Sequence, residues 1–214
     1  MIKIFKTRSL ILMTLISLSC LSVFGQKSEV LELNKRPLID FAQVLNENLQ
    51  EKEVNLKAPF SVTLEGELDE NCRFDVKKSK FIKSEGDAKM VEVVKNAMQA
   101  VNDSGVFGYF QNLKSNKLSW TLAQDETQLV SIMQSAQADE NKAKTFASSY
   151  KLLISTAKLL HKDKDEEILL NYLTVTSQGN NVIFNMTMPK DEAQEMLQRK
   201  LTEVNQQKSA GNSK

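Results

Sequence analysis

The chain switches between two hydrophobic periods. From Pro37 onward, Leu38, Phe41, Ala42, Leu45 and Leu49 recur at helical spacing, which predicts an amphipathic helix opened by a proline. Pro59 bars that helix from continuing. Phe60, Val62 and Leu64 then alternate with Ser61, Thr63 and Glu65, the period of a half-buried strand, and Gly66 and Leu68 extend it. Asp69 to Cys72 reads as a turn. Phe74 and Val76 open a return strand that Phe81 and Ile82 finish. Phe81 has the opposite parity to Phe74, so a regular strand cannot bury both. A bulge or strand end is therefore expected near Lys77 and Lys78. Ser84 to Asp87 reads as a turn, with Asp87 as N-cap of a helix striped by Val91, Val94, Met98 and Val101. Asn102 to Gly105 ends that helix. Val106 to Leu113, carrying Phe107, Tyr109 and Phe110, predicts a short second helix. Leu118, Trp120 and Leu122 alternate as a third strand. A turn at Gln124 to Glu126 leads to a fourth, Leu129 to Met133.

The second half opens with the longest helical period, Ala143, Phe146, Ala147, Tyr150, Ile154, Ala157 and Leu160. Ile168 to Tyr172 predicts a further short helix. Leu173 to Val175 and Val182 to Met188 read as strands joined by a loop from Ser177 to Asn181. Pro189 starts a last helix that buries Ala193, Met196, Leu197, Leu201 and Val204. The order is α-β-β-α-α-β, then β-α-α-β-β-α. That order predicts an α+β fold of antiparallel hairpins packed with amphipathic helices, not a parallel βαβ array. The segments divide as 37–124 and 125–205, the second a domain or a half-domain, and whether they share a sheet stays open. A polar tail, 206–214, reads as disordered.

The N-terminus follows a third pattern. Met1 to Arg8 carries Lys3, Lys6 and Arg8 and no acid, and Leu10 to Phe24 is almost wholly apolar. Val23 and Gly25 place small residues three and one before Gln26. This is the layout of a signal peptide, residues 1–25, cleaved between Gly25 and Gln26. The apolar run falls short of the roughly 20 residues of a spanning helix. Two other fates fit it: lipid attachment at Cys20 behind Ser19, or retention as an uncleaved anchor. Residues 26–36 read as a short polar tether.

Export changes the charge and the cysteine chemistry. The chain holds 28 Lys+Arg and 27 Asp+Glu, and the signal takes three bases and no acid, so the remainder carries two more acids than bases. Nucleic acid and anionic membranes need a basic field, and neither is expected as a partner. Cleavage leaves only Cys72, read as a buried and inert thiol, with no internal disulfide.

Residues 55–123 resemble the TonB/TolA C-terminal family. The resemblance rests on Phe60 to Asp69, Phe74-Asp75-Val76, Lys83 to Asp87, Val91 to Val94 and Leu118 to Leu122, an alternating strand, turn, strand, Ser-x-Gly-Asp turn, helix and strand. Asn71-Cys72 stands where the family carries a Gly turn, and Ala88 where Pro is frequent. The resemblance implies a periplasmic, non-enzymatic α+β module that binds peptides along a strand edge. Energy transducers of the family use a Pro-rich linker to cross the periplasm. The tether here spans at most about 36 Å when fully extended, and serves an address or a lipid attachment better than a transducing arm.

Candidate chemistry is sparse. His161 is the only histidine and reads as a helix-end residue, so a His/Cys zinc site is not expected. The acid-rich run Lys162 to Glu167 lacks the spacing of a calcium loop and reads as a solvated turn. No nucleophile elbow, phosphate loop or dinucleotide fingerprint occurs, so no catalytic, cofactor or metal residue is assigned. Lys77, Lys78, Lys80 and Lys83 form either an anionic-ligand patch or the charge that protects a sheet edge. Phe107, Tyr109, Phe110 and Trp120 read as core, with a groove as the other reading. Asn102-Asp103-Ser104 and Asn185-Met186-Thr187 match the glycosylation pattern.

The function expected from these readings is an exported, non-enzymatic binding or scaffolding module of the cell envelope. It is periplasmic or secreted, meets a protein or peptide partner, and pairs with it by strand addition. It touches membrane only through a lipid or an uncleaved anchor. The alternative is a membrane-anchored or lipidated accessory of a TonB-type transport system. An enzyme with no recognisable motif ranks third. Oligomeric state is left open.

Overall fold

The computed structural model describes residues 34–51, 54–108, 117–160 and 164–211. The N-terminal segment, with Cys20, Gly25 and Gln26, lies outside the described residues, as do Tyr109, Phe110, His161, Lys162 and Asp163. Helix α1 (Arg36–Gln50) takes Pro37 into its first turn and buries Leu38, Ala42 and Leu45. A hairpin follows, β1 (Phe60–Gly66) and β2 (Lys80–Gly86). Helix α2 (Ala88–Asp103) begins at Asp87, whose side chain accepts the Met90 N–H at 2.9 Å. Strands β3 (Leu118–Gln124) and β4 (Gln128–Ala136) form the second hairpin. Asp125 shapes its turn by accepting N–H groups from Thr127 and Gln128, and these bonds hold its carboxyl down at about 2. Helices α3 (Glu140–Leu160) and α4 (Lys164–Tyr172) lead into the hairpin β5 (Leu173–Gln178) and β6 (Asn181–Pro189). Helix α5 (Lys190–Gly211) closes the chain. The fold is α+β.

All six strands join one antiparallel sheet in the order β2-β1-β3-β4-β6-β5. The β3–β4 pair spans residues 124 and 125, so the two sequence segments are halves of a single sheet. Register sorts the side chains into two faces. Val62 lies opposite Leu122, Leu122 opposite Ser131, Ser131 opposite Met186 and Met186 opposite Leu173, one row across five strands. Every member of that row is buried. The helices pack on this face: Phe107 meets Trp120 edge-on at 5.6 Å, and Tyr150 of α3 meets Phe184 at 5.0 Å. The neighbouring row, Thr63, Thr121, Ile132, Asn185 and Thr174, lies on the opposite face, where no described helix packs. The result is two layers, helices on a sheet, around one apolar cluster.

Several expectations are corrected. The return strand begins at Lys80, not Phe74. Asp75 captures the intervening backbone, its carboxylate accepting the Lys77 N–H and its carbonyl the Lys78 N–H, so the chain turns before it pairs. Phe74 keeps only an isolated bridge to Leu68, and Val76 is 86% exposed. The expected break near Lys77 and Lys78 is present as this turn, and a further register shift falls opposite Thr63 and Leu64. Ser84 to Gly86 are strand rather than turn. At Gly86 φ is 113°, and a side chain there would place its Cβ 2.3 Å from the Pro59 carbonyl oxygen. The loop expected from Ser177 to Asn181 shrinks to Gly179 and Asn180, because Gly179 supplies the positive φ (54°) that a two-residue hairpin turn needs. The tail from Gln206 is helical through Gly211, because no helix breaker interrupts it before that glycine. Of the short helix expected over 106–113, residues 106–108 form one tight turn, and the rest lies outside the described residues.

Candidate binding surfaces

The two edges of the sheet differ in chemistry. Strand β2 is exposed at every residue and carries Lys80 and Lys83. Lys77 and Lys78 sit in the turn that precedes it. Two of the four lysines are paired: Lys78 Nζ reaches Glu67 at 2.7 Å and Lys83 Nζ reaches Glu85 at 3.0 Å. The hydrogen bond from Lys78 to Glu67 raises the lysine pKa. Lys80 stands opposite Glu65 in the register. Interleaved acids leave little of an anion-binding field, and the charge with the register shift makes a poor template for pairing. Strand β5, at the other edge, reads Leu-Thr-Val-Thr-Ser-Gln, with no charge, no proline and unbroken register against β6.

Below the helical layer lies a cavity of about 130 Å³, open on one side. Its floor is sheet, including Phe60 and Leu122. Its walls come from α1, α2 and α5, and half-buried Phe41, Ala97 and Leu197 ring the mouth. Gln124 is the polar group at the floor, 7% exposed. Its Nε2 donates to the carbonyls of Leu56 at 2.8 Å and Ala58 at 3.0 Å. Gln194 Nε2 donates to the same Leu56 carbonyl, at 3.0 Å. These bonds pin the connection between α1 and β1 against the sheet and α5. No signal in the sequence marked this cavity, since its lining repeats the apolar stripes that predict ordinary core.

One wall carries an ion cluster. Lys200 of α5 is 5% exposed, and its Nζ lies 2.9 Å from Asp165 Oδ2 and 3.4 Å from Glu203 Oε2. Arg199 Nη2 meets the other Asp165 oxygen at 2.7 Å. Burial pushes the Asp165 pKa up, but the hydrogen bonds and charges of Lys200 and Arg199 outweigh it, so the net shift is downward. Asp165 belongs to the run expected to be a solvated turn. It is instead buried in the first turn of α4, held there by cations from α5. Tyr172 adds a second tie between the same helices, its hydroxyl donating to Glu192 at 2.7 Å.

The remaining sequence candidates are structural where they are described. Cys72 is buried, at a left-handed φ of 57° within the Asp69–Arg73 turn. Phe107 and Trp120 are core, joined to Phe74 by stacked edges. Asn102 is buried, and its side-chain oxygen accepts the Phe74 N–H at 2.7 Å. No cluster of three metal-ligating side chains occurs among the described residues, and none of the described helices is long and apolar enough to cross a membrane.

No family model, curated protein or solved structure matches the chain.

Proposed function

We propose that the protein is an exported binding or scaffolding module of the cell envelope that takes a partner strand along the outer edge of β5. The asymmetry of the two sheet edges supports this reading. An incoming strand gains main-chain hydrogen bonds at either edge, but at β2 it meets Lys80, Lys83 and a broken register. At β5 it meets six uncharged residues in regular register. The two-residue turn defines which groups are offered. Gln178 and Asn181 flank that turn and exchange hydrogen bonds, so alternate residues Thr174, Thr176 and Gln178 spend their N–H groups on β6. Leu173, Val175 and Ser177 direct theirs outward. The signal-like N-terminus and the lack of catalytic motifs supply the compartment and the non-enzymatic character of the proposal.

Ser177→Pro deletes an outward N–H and leaves the β6 ladder intact, since proline is tolerated on that side of an edge strand. The expected result is that envelope proteins co-purifying with the wild type are lost with Ser177→Pro and kept with Lys80→Thr, at unchanged circular dichroism. Retention of the same partners by folded Ser177→Pro would exclude strand addition at β5.

A further inference from the structure

We infer that the cavity beneath α1, α2 and α5 is a binding site for a small neutral apolar molecule, or the end of a chain, that carries one hydrogen-bond donor. Size sets the first limit. At about 130 Å³ the cavity is close to an apolar cavity of ~150 Å³ that stays dry and accepts benzene. The walls near the mouth, Phe41, Val94, Ala97 and Leu197, offer no polar group and reward hydrocarbon.

Gln124 sets the second limit. Its amide orientation is fixed, because Nε2 faces two carbonyl oxygens and must be the donor. Both N–H bonds are therefore used within the fold, and Oε1 remains as an acceptor that no described donor meets. Oε1 keeps some access to solvent, and a ligand O–H or N–H group that replaces water there keeps the acceptor paired while the rest of the molecule meets the apolar walls. Water fits that acceptor but wastes the apolar walls.

Charge sets the third limit. Lys200 lines the cavity, yet its ammonium is engaged by Asp165 and Glu203. A carboxylate entering here would lose its water without gaining a cation of its own. The site thus selects a neutral alcohol or phenol over an acid of the same shape.

The test uses phenol, toluene and benzoate as probes of similar size. The purified protein carries carbon-13 methyl methionine, and the Met90 signal reports on the cavity wall. Phenol should shift the Met90 methyl saturably and bind about fivefold tighter than toluene, the ratio set by one net hydrogen bond. Benzoate should leave it unmoved. Ala97→Leu, which narrows the mouth from a half-buried position on α2, should weaken phenol at least tenfold, and Ala193→Leu should do the same from α5. Absence of a saturable shift with phenol overturns the site. Equal binding of phenol and toluene overturns the role of Gln124, and preferential binding of benzoate overturns the neutral selectivity.

Discussion

Asp165 and Lys200 show how differently two halves of one ion pair behave when removed. Asp165→Asn takes the 2.9 Å carboxylate partner from the buried Lys200 ammonium, so it should destabilise the fold by about 3 kcal/mol. Lys200→Met leaves Asp165 bonded to Arg199 and replaces a buried charge with apolar volume, so its cost should be smaller. Urea unfolding of both variants at neutral pH measures the order, and equal costs would contradict it. The pH dependence has a definite sign. The Asp165 pKa is lowered in the fold, so its stabilisation is fully present above the unfolded carboxylate pKa and lost as pH falls through the folded value. The gap between wild type and Asp165→Asn should close below about pH 4. Legibility at this scale followed sequence distance. Asp87 as an N-cap was readable because its partner is three residues away. Asp165 was not, because Arg199 lies 34 residues further on. Asn102 reads in the sequence as part of a helix stop, yet its amide serves a strand bridge 28 residues earlier.

Periodicity located most elements, and the errors cluster where short-range polar groups compete with the ladder. Phe74 and Val76 have strand character, yet the Asp75 turn diverts the chain until Lys80. The β2 edge that results carries its own protection. Lys80→Val together with Lys83→Val would present an apolar edge, and should raise the aggregation rate during thermal unfolding several-fold with little change in midpoint. Light scattering during a temperature ramp checks this, and unchanged scattering would assign the lysines no protective role. The small midpoint change follows from exposure, since surface pairs such as Lys83–Glu85 contribute at most about 1 kcal/mol. The boundary of α4 shows the opposite error. Its apolar period begins at Ile168, but the helix reaches back to Lys164, because acids favour a first turn and Asp165 finds cations there.

The single sheet makes the molecule one cooperative unit. Residues 37–124 and 125–205 each supply three strands, and the β3–β4 pairing joins the two halves into one sheet over one core. Trp120, the only tryptophan, packs on Phe107 near this junction. Its fluorescence and the far-ultraviolet circular dichroism should therefore follow one coincident transition in urea. Two separated transitions would mean that the halves fold independently. By itself, the sequence determined the α+β class and most element positions. Those properties are written in local periodicity and residue type, which act over a few neighbours. The tertiary structure decided that both hairpin sets share a sheet, that β5 rather than β2 is the uncharged regular edge, and that α1, α2 and α5 leave a cavity above Gln124. Each depends on contacts between residues far apart in the chain, and a hydrophobic stripe looks the same whether its partner fills the space above it or stops short.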